Sequence, residues 1–157
     1  MKKIYLKNKD VYALVDDEDF DELNQWKWYA DEIGGVMYVK RRRYPDRKML
    51  YMHREILKAG DNLVDHKDHN GLNNQRSNLR ICSSSQNQWN KRSKRNGTSK
   101  YIGVSYDISR GKWTARCCIN YKNHNIGRFD TEVKAALAYN KKAIELHGEF
   151  ANLNIIA

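Results

Sequence analysis

The sequence predicts an α+β chain of 157 residues built as two small units, and three observations carry that expectation. In the C-terminal third, apolar residues recur at every second position over three short runs and then switch to a helical period, as in a small antiparallel sheet backed by one helix. In the N-terminal half, short apolar runs alternate with turn residues, as in successive hairpins. Between them, Lys91–Lys100 (Lys-Arg-Ser-Lys-Arg-Asn-Gly-Thr-Ser-Lys) has no apolar side chain and is half basic, so it reads as an exposed linker. The expected units are 1–91, a basic linker over 92–100, and 101–157.

Charge bounds the partner. A net charge of +10 and a pI near 9.5 point to a polyanion, because a positive field concentrates phosphates at the surface. The charge is segregated: residues 10–32 hold nine carboxylates against the single cation Lys27, so the rest of the chain is more basic than the average. No apolar run approaches the roughly 20 residues of a membrane span, and Met1–Asp10 is polar and basic rather than a signal segment. Three cysteines, with Cys117 and Cys118 adjacent, suit a reducing setting. An intracellular, cytoplasmic protein with no membrane partner is expected.

Taken in order, Ile4–Leu6 and Val11–Val15 around Asn8-Lys9-Asp10 read as a hairpin. Asp17 then caps a short acidic helix carrying Phe20 and Leu23, with carboxylates at the positive end of its dipole. Trp26-Lys27-Trp28-Tyr29 reads as core aromatics. Val36–Tyr44 and Met49–Met52 flank Pro45-Asp46 as a second hairpin, whose strand carries Arg41, Arg42 and Arg43 as phosphate contacts, and His53–Leu57 reads as a short helix.

The segment from Val64 to Asn90 is the most informative. Val64 and Leu79–Ile81 are strand-like around a polar loop rich in Asn and Gly, and Ser84 or Ser85 caps a helix containing Asn87. Strand, loop, strand and helix would set Asp65 and His66 against Asn87. This segment resembles the ββα-metal (His-Me finger) fold of HNH endonucleases, particularly the phage and intron-encoded homing type, in which an Asp-His pair precedes Asn-Asn and Asn-Leu-Arg. Ala13–Phe20, Trp26-Lys-Trp28 and His53-Arg54 resemble the lead-in of that group, so the likeness covers nearly the whole N-terminal half. It implies a ββα-metal motif over about 63–91, Asn78 as the central Asn that holds the loop and helps orient His66, and a phage-infected or bacterial cell as the setting.

The chemistry can be argued beside the name. Phosphodiester hydrolysis needs a base for water and a cation for the charge that builds on the phosphate. His66 suits the base, because imidazole titrates near neutral pH. Asp65 and Asn87 are hard oxygen donors for one Mg²⁺ or Mn²⁺ per active site, and Asn87, where many relatives carry His, favours Mg²⁺. Asp68 and His69 are alternates, and a zinc site from His66, His69 and Cys82 is the weaker choice, since the paired Cys-x-x-Cys spacing is missing.

Beyond the linker, Gly103–Asp107, Lys112–Asn120 and His124–Phe129 read as three strands with turns at Ser109–Gly111 and Tyr121–Asn123, followed by a helix from about Thr131 to His147 and a stop at Gly148. Trp113, Ala115, Cys117 and Ile119 share one sheet face, with Thr114, Arg116, Cys118 and Asn120 on the other. Val133, Ala136, Leu137, Asn140, Ala143 and Ile144 form the expected helix stripe. Tyr101-Ile-Gly-Val104, Gly111-Lys-Trp113, Ile126–Thr131, Ala135–Tyr139 and Asn152-Leu-Asn154 resemble the Apetala-two/ethylene-response (ERF-type) DNA-binding domain. By position the resemblance implies Ser105, Arg116, Asn123 and Asn125 facing DNA and Tyr139 reaching a phosphate; Ile102, Ser105 and Cys118 stand where plant relatives carry arginines.

The sequence thus predicts a metal-dependent endonuclease on double-stranded DNA, with Lys91, Arg92, Lys94 and Arg95 of the linker adding phosphate contacts. One such site cuts one strand at a time, so a monomer would nick and a dimer could break both strands. The competing readings are a non-catalytic DNA-binding regulator on a nuclease scaffold and an RNA-binding module, which would need exposed aromatics.

Overall fold

The computed structural model describes residues 1–90, 97–119 and 122–156. Linker residues Lys91, Arg92, Lys94 and Arg95, with Asn120 and Tyr121, lie outside them. The architecture is α+β, with four antiparallel sheets and few helices. Among the described residues no helix is long and apolar enough to cross a membrane.

The first compact unit, Met1–Asn87, opens with the antiparallel pair β1 (Lys2–Tyr5) and β2 (Tyr12–Val15), then α1 (Asp17–Asn24). A sheet in the order β3 (Tyr29–Ile33), β4 (Val36–Arg42), β5 (Met49–Tyr51) follows, with α2 (Met52–Ile56) behind it. The hairpin β6 (Leu63–His66) and β7 (Leu79–Cys82) leads into α3 (Ser84–Trp89). Ile4, Val15, Leu23, Trp28, Val39, Met52 and Leu79 form one core. Trp28, 1% exposed, can sit there because its indole N–H donates to the Leu23 carbonyl at 2.8 Å.

Three local expectations change. Trp26 and Tyr29 are exposed rather than core, and Tyr29 opens a strand whose acidic residues Asp31 and Glu32 hid its pattern. Asp16, not Asp17, is the N-cap of α1, and it makes no side-chain cap bond. Its carboxylate is spent on the loop between β6 and β7, accepting from Arg76 N at 2.7 Å and from Gln75 Nε2 at 3.1 Å. The cap of α3 is Ser83: its hydroxyl accepts from Gln86 N while its own N–H donates to the Gln86 side chain, a reciprocal capping box one residue before the expected start.

That long loop is docked on the first hairpin. Leu14 N donates to Leu72 O, and Asn74 N donates to Leu14 O, both at 2.8 Å, so β2 acts as a strand partner for the loop. Arg76 locks the other side, reaching Asp19 with two nitrogens at 2.7 and 2.9 Å and Glu18 at 2.7 Å. Gly71 lies against β4 so closely that a Cβ there would fall 2.2 Å from the Met37 carbonyl oxygen.

The second unit, Gln88–Ala157, carries a sheet in the order β10 (Lys122–Phe129), β9 (Lys112–Ile119), β8 (Val104–Asp107), backed by α4 (Glu132–His147). Thr131 caps α4 by accepting from Lys134 N, and Gly148, at φ 55°, ends it. The buried helix face is Ala135, Ala136, Tyr139, Ala143 and His147, whereas Val133, Leu137 and Ile144 of the expected stripe are exposed. The sheet selects the alanine face because small side chains permit close approach: Gly103, at φ +71°, packs on the Tyr139 ring where a Cβ would sit 2.3 Å away. Asn140, the polar member of that stripe, exchanges hydrogen bonds with the Asn154 main chain, while the Asn154 side chain pairs with both main-chain groups of Ile102.

Because the Met37 contact is with backbone, Gly71→Ala must displace either the loop or β4. It is expected to cost about 2–3 kcal/mol, the scale of an overpacked interior, read as a lower urea midpoint at unchanged slope.

Candidate active site and nucleic-acid interface

His66 ends β6 with 5% exposure, and its ring is boxed by others. Tyr38 of β4 lies 5.9 Å from it and His53 of α2 5.0 Å, both edge-on, and Tyr51 stacks on His53 at 5.6 Å. His66 Nε2 lies 3.3 Å from the side-chain oxygen of Asn74, a residue with no exposed surface. The Asn74 amide nitrogen donates to Gly71 O at 3.2 Å, so the amide oxygen must be the atom facing the imidazole. An oxygen there can only accept. His66 is therefore the tautomer protonated at Nε2, with the basic lone pair on Nδ1.

Burial pushes the His66 pKa below its ordinary value, against the upward pull of the Asn74 bond and of Asp68 and Asp65. His53 is pushed further, to about 3, by burial first and then by His66 and Arg54. Both rings are thus neutral near pH 7.

Asp65 faces Arg80 across the β6–β7 register, and its Oδ2 accepts from Arg80 Nη2 at 2.7 Å and Nε at 2.9 Å. Asn78 clasps the loop: its amide nitrogen donates to Asp68 Oδ1 and Asn73 O, and its oxygen accepts from Asp68 N. Burial raises the Asp68 pKa, but bonds from Asn73, Asn70 N and Asn78 outweigh it and hold the carboxylate low. His69, at φ 61°, makes the turn through its N–H to His66 O. Asn87 is half-buried on α3.

Among the described residues no group of three or more His, Cys, Asp or Glu side chains could hold a metal, so His66, His69 and Cys82 do not form a zinc site. Asp65 and Asn87 are oxygen-donor side chains of the kind a hard cation takes, and the Asp65 carboxylate is engaged by Arg80.

In the second unit the register gives the open sheet face a definite composition. Ser105 pairs with Thr114, Arg116 with Asn125, Cys118 with Asn123 and Arg128 with Thr114, so these side chains share one surface. Arg116, Asn123, Asn125 and Arg128 on it are exposed, and Ser105 is bound to Thr114 through their hydroxyls at 2.8 Å.

Comparison with known proteins gives these sites a lineage. A protein of Acanthamoeba polyphaga mimivirus, named an uncharacterized HNH endonuclease, is 34% identical over 160 aligned residues, covering 96% of this chain and 78% of that one. The chain belongs to the HNH endonuclease family. Protein 3.8 of Escherichia phage T7 is 34% identical over 88 residues, covering 56% of this chain and 72% of its own. The AP2 domain family matches residues 99–149.

Set in that family, the residues expected from sequence divide. His66, Asp65 and Asn78 come together on one hairpin and its loop, but the His66 partner at Nε2 is Asn74, to which the sequence assigned no role. His53, Tyr38 and Arg80 were also missed; the signals were the second Asn of Asn73-Asn74, the His53-Arg54 pair and the arginine of Asn78-Leu-Arg80. Of the three arginines, Arg42 is exposed, Arg43 pairs with Asp46, and Arg41 is not a surface cation. Strand alternation turns Arg41 toward the core, where it pairs with Glu55 at 3.2 Å and lies over Trp26 and Trp28. Tyr139 does not reach a phosphate: it is 6% exposed in the core, and burial pushes its pKa up to about 12. Arg128 joins the open face instead.

Between pH 6.5 and about 3 the unfolded chain binds a proton that folded His53 refuses. Stability present above pH 6.5 should therefore fall as the pH drops through that window, with a slope of up to about 1.4 kcal/mol per pH unit from this residue. His53→Phe should flatten that slope in urea unfolding measured at successive pH values.

Proposed function

We propose that this chain is a divalent-metal-dependent endonuclease of the homing type that binds double-stranded DNA and hydrolyses a phosphodiester bond, on a ββα-metal scaffold over residues 63–91. The observation that carries the reading is the His66 imidazole at the end of β6, its Nε2 held by Asn74 so that Nδ1 is the basic nitrogen, in a member of the HNH family. Nδ1 takes the proton of the attacking water. Asn74 keeps its bond to the Nε2 proton, so the imidazolium formed retains its partner, and burial holds the ring neutral beforehand. Asn78 fixes the loop that carries Asn74.

Asp65 and Asn87 would hold one Mg²⁺ or Mn²⁺, which when bound supplies charge stabilisation for the developing phosphorane and the departing alkoxide. The family resemblance implies 5′-phosphate and 3′-hydroxyl ends. The AP2 match supports duplex recognition through the open sheet face, with Ser105, Arg116, Asn123 and Asn125 toward the bases and Arg128 toward the backbone. Arg42 and the run containing Lys91, Arg92, Lys94 and Arg95 add phosphate contacts. The viral and phage relatives support an infected-cell setting.

One observation favours a second reading, a regulator without turnover: Asp65 is already paired with Arg80, and His66 is 5% exposed. Supercoiled plasmid decides between them. Nicked or linear product with Mg²⁺ and none with EDTA supports the enzyme, and plasmid left intact across metals supports the regulator. His66→Ala is expected to lower cleavage roughly 10²–10⁴-fold, the scale of a general base, with duplex affinity retained in gel shifts. Because protonation of His66 abolishes the base, the midpoint of the acid limb of the rate profile should lie below pH 6.5.

A further inference from the structure

The first unit has a cleft of about 760 Å³ that the catalytic reading leaves unused. Trp26 and Tyr29 line it and are 48% and 40% exposed, a heavy outlay of aromatic surface in a unit that buries Trp28 at 1%. Arg41 covers one side of the Trp26 indole at 4.3 Å and holds the ring in place. Lys40 also lines the cleft, but its ammonium is committed to Asp31 at 2.7 Å, so that part of the lining is close to neutral. Lys27 and Arg42 are exposed cations of the same lining, and Gln25 adds an amide.

Flat aromatic walls, a neutral interior, a hydrogen-bonding amide and exposed cations describe the two halves of a nucleotide. The aromatics suit a base and the cations suit its phosphates. The size is in the range of small-ligand sites, roughly 300–1,000 Å³. An acidic peptide would leave the flat aromatic walls without a planar partner, and a purely apolar ligand would leave Lys27 and Arg42 unused.

The position of the cleft ties it to the catalytic residues. Tyr29, Lys40 and Tyr51 lie opposite one another across the sheet, as do Met49 and Arg42. Tyr38, Lys40 and Arg42 alternate along β4 on that same face, and Tyr38 is the residue that touches His66. The Tyr29, Lys40 and Arg42 side of the cleft therefore shares a sheet face with Tyr38, the ring against His66, and Arg42 lies roughly 14 Å along β4 from Tyr38 at two same-face steps.

We propose that this cleft is a binding site for an unpaired nucleotide of the DNA strand, with its base against Trp26 and Tyr29 and its phosphates on Lys27 and Arg42. Its choice of DNA rests on the endonuclease reading; the stacking site itself does not. The full-length protein in EDTA is titrated, by fluorescence anisotropy, into a labelled single-stranded oligothymidylate and into an abasic strand of equal length and charge. The base-bearing strand is expected to bind about tenfold more tightly, the effect of a stacked base. Trp26→Ala and Tyr29→Ala should each reduce that preference to near nothing, while Trp26→Phe and Tyr29→Phe keep most of it, with circular dichroism and melting checking the fold of each.

Equal affinity of the wild type for the two strands overturns the site, as does a preference that survives both alanine variants. Tighter binding of oligouridylate than of oligothymidylate overturns the assignment to DNA. Plasmid nicking by the same preparation separates the two readings: nicking without a base preference removes the cleft alone, and a base preference without nicking removes the endonuclease reading and leaves the cleft standing.

Discussion

A single buried amide organises the first unit. Asn74 receives its main-chain partner from β2, gives its side-chain nitrogen to Gly71 and turns its oxygen to His66. Each of these bonds is satisfied only if the others are, because an Asn with no exposed surface has no water to fall back on. Loop closure, the orientation of the imidazole and its tautomer are consequently one event. The Asn78 clasp on Asp68 and Asn73 closes the same loop from the opposite side. A loop this polar would ordinarily sample many states; here nearly every Asn in it has a named acceptor or donor.

The acidic stretch acquires its meaning from that loop. Read alone, carboxylates at the start of α1 look like complements to the helix dipole, an effect worth only about 0.3–1 kcal/mol. In the fold, Asp16 takes the Arg76 main chain and the Gln75 amide, while Glu18 and Asp19 take the Arg76 guanidinium. The side chain of Asp19 is largely buried, so its bidentate pair with Arg76 is screened less than a surface bridge. Negative charge concentrated in a basic chain thus serves to hold down the loop between β6 and β7, leaving the cations of the remainder for a polyanion.

Strand alternation was readable where one face is apolar and the other polar, which is why β9 was placed nearly residue for residue with Thr114, Arg116 and Cys118 on one face, while the grouping of Ser105, Asn123 and Asn125 came from the family resemblance and Asn123 lies in β10 rather than in the expected turn. It failed at β3, whose Asp31 and Glu32 face solvent or a lysine, so no apolar period remains to see. It was ambiguous on α4, where two apolar faces compete; the choice fell to alanines and Tyr139 through the close approach at Gly103, a constraint that only the assembled sheet supplies. For the candidate site, residue type pointed to Asp65 and His66, and the family resemblance pointed to Asn78. Which of four loop asparagines would be sealed under the imidazole depended on the docking of the loop against Leu14, some sixty residues distant in sequence. Arg41 and Arg42 illustrate the same limit, since adjacency in a basic run says nothing of which side of a strand each will take.

Faces also explain how the two units can divide their work. On the C-terminal sheet, Ser105 and Cys118 occupy open-face positions while Ile102 packs against the core, so none of the three brings a charge to that face. Among the described residues that face carries Lys112, Arg116 and Arg128, with Lys112 paired to Asp130 and Arg128 3.9 Å from Asp107, beside hydroxyls, amides and a thiol. Such a surface presents hydrogen-bond donors and acceptors beside cations that are partly offset by carboxylates. Most of the 29 lysines and arginines therefore lie outside that sheet face. The bonds that Asn74 makes to His66 and Gly71 lie within the first unit.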